Sequence, residues 1–257
     1  MSRVLNNSRG LRITAKTTIL LLLSVVFFFA PDEASAQRRF SRTYTTSRDV
    51  RLTLYNRSGT VTVEGWNRSE VQIQAYIESP SATLNPQILS GVILINMVKD
   101  NYGRDDVGSV NFTIRVPVDA SVDIETKVGN LEVSSVRGTL VRAKISSDGD
   151  ITLTNINARF VTAENGIGNI FFDGDIQSNG IYRFTSMRGD INLRVPFNSS
   201  FKLIATAPST RSINLGSFAN SNLRFIGDGR RVTGQVGDGS SSMTVTNQRG
   251  TIAFIRR

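Results

Sequence analysis

Apolar and polar residues alternate with the period of a strand through most of this chain, in short runs parted by turn residues. Val50, Leu52 and Leu54 alternate before the turn Asn56-Arg57-Ser58-Gly59, and Thr60-Val61-Thr62-Val63 continues the pattern. After a second turn at Gly65-Trp66-Asn67-Arg68, Val71, Ile73 and Ala75 alternate again. Val110, Phe112, Ile114 and Val116 form the cleanest run, and Pro117 ends it because proline has no amide to give to a ladder. Short alternating runs joined by Gly/Asn turns predict an all-β chain.

From Val128 to Val195 the pattern becomes a repeat. Gly129-Asn130-Leu131-Glu132-Val133, Gly149-Asp150-Ile151-Thr152-Leu153, Gly168-Asn169-Ile170-Phe171-Phe172 and Gly189-Asp190-Ile191-Asn192-Leu193 share one phrase, with glycines 20, 19 and 21 residues apart. Gly accepts positive φ, and Asn or Asp bonds the local backbone, so the first pair is a turn. The rest is a strand, and second strands fall between the phrases at Leu140–Ile145, Phe160–Ala163 and Tyr182–Thr185. A period near 20 residues predicts a β-solenoid in which like residues stack. Asn130, Asp150, Asn169 and Asp190 would then form a corner column. Leu131, Ile151, Ile170 and Ile191 would point inward, beside Val133, Leu153, Phe172 and Leu193.

Several stretches interrupt or echo the repeat. Ser79–Gln87, with Pro80 and Pro86, is a loop; an apolar segment from Ile88 to Val98 follows, and then a polar turn from Asp100 to Asp106. Val195-Pro196 repeats Val116-Pro117 at a spacing of 79 residues. Ser212-Ile213-Asn214-Leu215 lacks the glycine, which returns in Gly250-Thr251-Ile252-Ala253-Phe254. Arg256 and Arg257 are expected to blunt the last edge strand by charge.

The first 36 of the 257 residues read differently. Arg3, Arg9, Arg12 and Lys16 precede an apolar run from Ile19 to Phe29, and Ala34-Ser35-Ala36 follows. That order is the one of a secretory signal peptide, and the run is short for a membrane span of ~20 residues. The expected organisation is a signal peptide at 1–36, a flexible lead-in at 37–49 and a single β-solenoid domain at 50–257. Export would place the product in the periplasm, at the cell surface or outside the cell. With no cysteine, the chain has neither a disulfide nor a thiol for a lipid anchor, so the core must hold the fold alone. Residues 37–257 keep 26 Lys/Arg against 19 Asp/Glu. Without a run of five or six basic residues, scattered solvated charge accounts for that excess.

Histidine is absent too, which excludes Ser-His-Asp and Cys-His nucleophiles and the usual zinc and copper ligand sets. Asp148-Gly149-Asp150 and Asp173-Gly174-Asp175 have three readings: ordinary turns, calcium ligands, or paired carboxylates for sugar chemistry. The turn reading is preferred, and no catalytic, cofactor-binding or metal residue is assigned. Trp66, the single tryptophan, is either a turn anchor or a platform for a sugar ring. Nucleic acid is not expected, because the aromatics occupy inward positions rather than alternating with basic residues.

Ser58-Gly59-Thr60-Val61-Thr62-Val63, Gly65-Trp66-Asn67-Arg68, Val116-Pro117, the Gly-Asp/Asn phrases and Val236-Gly237-Asp238-Gly239 occur in an order that resembles the DUF4097 family, for which adhesion is the proposed role. The resemblance covers nearly all of residues 47–257, and it implies an exported β-solenoid-like domain without established catalytic residues. A non-enzymatic binding, adhesion or structural module of the cell envelope is the leading expectation. Its flat face would bring Arg142, Lys144 and Arg159 to an acidic glycan, an anionic lipid surface or an envelope protein. A β-helix carbohydrate-active enzyme and a scaffold or sensor in an envelope-stress pathway remain as alternatives.

Overall fold

The computed structural model describes residues 38–208 and 212–257. The segment read as a signal peptide, 1–36, lies outside the described residues. Two sheets, of ten and eleven strands among the described residues, face each other across one apolar core. Each coil places one strand in each sheet and turns at a glycine between them. The coils are β2 (Arg51–Ser58) with β3 (Val61–Trp66), β8 (Ser121–Val128) with β9 (Leu131–Ser134), and β10 (Leu140–Asp148) with β11 (Ile151–Ile156). They continue as β12 (Phe160–Ile167) with β13 (Ile170–Gly174), β14 (Ile181–Arg188) with β15 (Ile191–Val195), and β20 (Ser241–Asn247) with β21 (Ile252–Arg256). Neighbouring coils pair in parallel, as a solenoid requires.

The order of coils departs from the order of the chain at both ends. β20 and β21 lie directly against β14 and β15. β16 (Phe201–Thr206) and β17 (Ile213–Asn214), which precede them in sequence, stack outside them. At the other end, β2 and β3 sit between the β8–β9 coil and the pair β6 (Val92–Asn96) and β7 (Val110–Pro117). Antiparallel strands then close the stack: β4 (Glu70–Ile77) on β7, β5 (Gln87–Leu89) on β6, β19 (Arg231–Val236) on β16, and β18 (Asn222–Ile226) on β19.

Two expectations are corrected by this arrangement. The lead-in at 37–49 carries β1 (Arg38–Thr45), paired antiparallel with β4 from Arg38↔Ile77 to Thr45↔Glu70. Phe40 and Tyr44 pack against the core from this strand, while arginines fill its other inward positions and hide its alternation. The second correction concerns Arg256 and Arg257. Strand β21 is flanked by β15 and β17, and the free edges are β1, β17, β5 and β18. The late coil is interior where β17 pairs with it, at Ile252 and Ala253, and Arg257 turns to Asp173 and Asp175 instead of standing free along an edge.

The inward columns are as the repeat predicts. Leu131, Ile151, Ile170 and Ile191 are fully buried, and Val133, Leu153, Phe172 and Leu193 lie beside them. Each such side chain contributes about 1.5–3 kcal/mol by leaving water. Aromatic rings fill the later coils: Phe172 lies 5.0 Å from Phe184, and Phe218 packs on Phe201 and Phe254 at 5.6 and 6.0 Å.

Among the described residues, Tyr182 is the largest fully buried side chain. Its hydroxyl accepts from the Gln177 amide at 2.7 Å and lies 3.1 Å from the Ala158 carbonyl oxygen, to which it donates. Replacing it with Phe should cost about 1–3 kcal/mol, since those buried partners lose their bonds. Burial pushes the phenol above its usual 10.0, against the Gln177 amide, and the Asp175 charge pushes it further. The folded chain therefore keeps this proton while the unfolded chain loses it. This contribution is complete below pH 10 and falls as the pH rises above that. Urea unfolding of Tyr182→Phe should show a shallower alkaline loss of stability than the unsubstituted chain.

Candidate functional site

The Gly-Asx corner was the first candidate for chemistry, and the structure builds it as a joint between coils. Gly59, Gly129, Gly149, Gly168, Gly189 and Gly250 all have φ between +114° and +145°. They stack in one column, where a Cβ on any of the last five would fall on the carbonyl oxygen of the glycine one coil before. Only glycine allows backbones to touch in this way at that φ. The next residue of each phrase then binds along the stack. Asn130 Oδ1 accepts from the Asp150 amide at 3.0 Å, Asp150 Oδ1 from the Asn169 amide at 2.6 Å, and Asn169 Oδ1 from the Asp190 amide at 2.9 Å. Asp190 Oδ1 accepts from both the amide and the hydroxyl of Thr251, each at 2.8 Å. Charged and neutral members alternate along the column. Two carboxylates in adjacent coils would otherwise stand about 4.8 Å apart and repel.

A second polar column supports the same corner from inside. The third residue before each glycine is Asn56, Thr126, Ser146, Asn165, Ser186 or Asn247, and all but Ser146 are buried. Asn165 Nδ2 donates to the Gly149 carbonyl at 2.8 Å, and Asn247 Nδ2 to the Gly189 carbonyl at 2.7 Å. In the β10 coil the column place beside Thr126 and Asn165 is taken by buried Ile145, and Ser146 is exposed where the register shifts between Ile145 and Asp148. Sequence reasoning missed this column, although an amide or hydroxyl three residues before every glycine was there to find.

The other acids are engaged in their own surroundings. Asp173, only 8% exposed, has Arg257 Nε 3.3 Å away and Arg194 Nη1 3.7 Å away. Asp175 meets Arg257 Nη1 at 2.7 Å and accepts from Asn157 Nδ2 at 3.2 Å. Asp150 belongs to the corner ladder, and Asp148 is exposed beside it. Among the described residues, no group of three or more His, Cys, Asp or Glu is placed to hold a metal ion.

The basic flat face is also altered by its partners. Arg142 lies 3.0 Å from Asp123, and Lys144 lies 3.0 Å from Glu125, both acids being one coil earlier on β8. Arg159 stands over the Phe160 ring at 5.6 Å and donates to the Asn179 carbonyl. Arg142 and Lys144 therefore offer an acidic ligand much less charge than their sequence implies, while Arg159 is held in place but not neutralised. Trp66 is half-buried at its turn, where Nε1 donates to the Glu70 carbonyl at 2.8 Å. Arg68 and Arg115 lie over its ring, 5.0 and 5.7 Å from the centroid, where a sugar would have to compete with them.

The family model described as Toastrack DUF4097 matches residues 32–254. The chain belongs to that family. Its β-solenoid-like stack of two long sheets is the Toastrack fold. Comparison with curated proteins finds no match. Among solved structures, the Toastrack chain is similar to a proposed cell adhesion protein from Clostridium sporogenes ATCC 15579. That pair has 12% identity and a TM-score of 0.48, covering 86% of this chain and 98% of the other. It is similar also to a proposed adhesin from Bacteroides fragilis NCTC 9343, at 10% identity and a TM-score of 0.37, with 86% and 99% covered. A proposed lipid binding protein from Parabacteroides distasonis ATCC 8503 matches at 8% identity and a TM-score of 0.32, with 85% and 97% covered.

Proposed function

We propose that this Toastrack chain is an exported, non-catalytic binding module of the cell envelope. The observation that carries the reading is the fate of its acids. A glycosidase needs two carboxylates facing one substrate, roughly 5–10 Å apart. Here Asp173 and Asp175 are held by Arg257, and Asp150 is bonded into a backbone ladder. The absence of histidine and cysteine from the sequence removes the common nucleophilic systems as well. The basic, apolar, Ala-x-Ala order of residues 1–36 supports export.

The test is a panel of envelope polysaccharides and anionic lipids, scored for both binding and turnover. The proposal expects binding without any chemical change in the ligand, and no effect of Asp150→Asn or Asp175→Asn on ligand integrity. Turnover that disappears in either variant would establish the carbohydrate-active alternative instead. Fractionation tests the export arm: accumulation in the cytoplasm would contradict it.

A further inference from the structure

Charge along this chain is divided unevenly in a way the repeat conceals. Residues 38–190 carry 17 basic and 17 acidic side chains, whereas residues 191–257 carry nine basic and two acidic ones. The whole excess beyond the leader therefore lies in the last quarter of the sequence. Part of it is neutralised inside the stack, where Arg194 and Arg257 meet Asp173 and Asp175. Much of the remainder sits on the hairpin of β18 and β19, at the free edge of the eleven-stranded sheet.

This hairpin is also apolar where a closing strand should be polar. On its outer face, Ile204 and Arg224 share a row through Thr233, and Arg231 stands opposite Ile226 in the next row. Lys202 lies on the same face, one pleat away. On the other face of β18, Phe225 is 48% exposed, because the opposing sheet has already ended at β17. Ile226 and Ile204 are 43% and 38% exposed. The turn itself holds Gly227, Asp228, Gly229 and Arg230, one acid and one base. Single exposed apolar residues are common on soluble surfaces. An apolar tip on both faces of one hairpin, ringed by Arg224, Arg230 and Arg231, is a different arrangement.

We infer that the β18–β19 hairpin docks the stack end-on to an anionic lipid surface, with Phe225 and Ile226 entering the headgroup boundary and the arginines pairing with lipid phosphates. This rests on the reading of the chain as a binding module and names its partner. Basic side chains flanking a short apolar insertion are how peripheral proteins hold such surfaces. An acidic polysaccharide would match the charge but has no use for two bare hydrocarbon side chains. A second copy of this end would bring like charges together.

The experiment is co-sedimentation of the purified protein with vesicles of phosphatidylglycerol and phosphatidylcholine, or of phosphatidylcholine alone. Binding should need the anionic lipid and weaken steeply with salt. The pair Arg224→Gln/Arg231→Gln should lose about fivefold per arginine. Phe225→Ser/Ile226→Ser should lose a comparable factor, and Arg183→Gln on the flat face should bind as the unsubstituted chain does. Thermal unfolding of each variant checks that the outermost strand has left the stack intact. No binding to anionic vesicles overturns the proposal. So does binding that ignores the Phe225/Ile226 pair, or that a soluble acidic polysaccharide reproduces with equal strength. Those outcomes would leave the binding-module reading standing, whereas polysaccharide turnover would sink that reading and spare the vesicle result.

Discussion

Gly168→Ala should destabilise the chain by about 4 kcal/mol or more, and Gly91→Ala by about 1 kcal/mol. Both glycines have positive φ, at +124° and +72°, so a side chain is strained at either, at about 1–3 kcal/mol. Their surroundings separate them. A Cβ at Gly91 would meet nothing within 4 Å, whereas at Gly168 it would overlap the Gly149 carbonyl oxygen and stand 2.9 Å from Asp150 Oδ1. The clash is with backbone, which cannot rotate away, and relief would break the bond from the Asn169 amide to Asp150. Urea unfolding of the two variants side by side measures the difference. Equal losses would mean that the coils do not need to touch at the corner.

Phe172→Ala should cost about 3–5 kcal/mol, or roughly 10 °C in Tm, while Phe172→Leu should cost less than about 1.5 kcal/mol. Phe172 is fully buried, with its ring 5.0 Å from Phe184 and 6.2 Å from Tyr182. Its neighbours in the same column are Leu153 and Leu193, so leucine restores the shape of the adjacent coils. The ring also fills the space above Gly174, whose missing side chain leaves room for it. Alanine would leave a cavity with stiff walls on both sheets. Calorimetry on the two variants decides it, and an alanine variant within about 1 kcal/mol of the unsubstituted chain would contradict this packing.

Local periodicity carries much of this fold. The inward columns, the glycine corners and the Asn/Asp ladder follow from one phrase read at a period near 20 residues, because parallel coils bring equivalent positions together. The same arithmetic places Asp123 beside Arg142 and Glu125 beside Lys144, each 19 residues apart. Taking those arginine and lysine side chains as a free basic face overlooked their partners one coil back. Coil order was not legible. The pairing of β14 with β20 joins Ile181 to Ser242 across an intervening strand pair that has the same alternation, and no local signal ranks the two. Strand β1 was hidden by arginine at inward positions, which is the composition a protected edge requires. The uneven charge was plain in the sequence but invisible to a search for basic runs, since its members are spaced by strands and only three of them, Arg224, Arg230 and Arg231, meet on the end hairpin.

The most direct test of the stacked corner is amide hydrogen exchange at Asp150, Asn169, Asp190 and Thr251. All four residues are exposed, so their amides would ordinarily exchange fast. The ladder predicts slow exchange at each, and selective loss of protection at Asp150 in Asn130→Ala, because that amide alone loses its acceptor. Exchange at open-chain rates for all four in the unsubstituted protein would contradict the account.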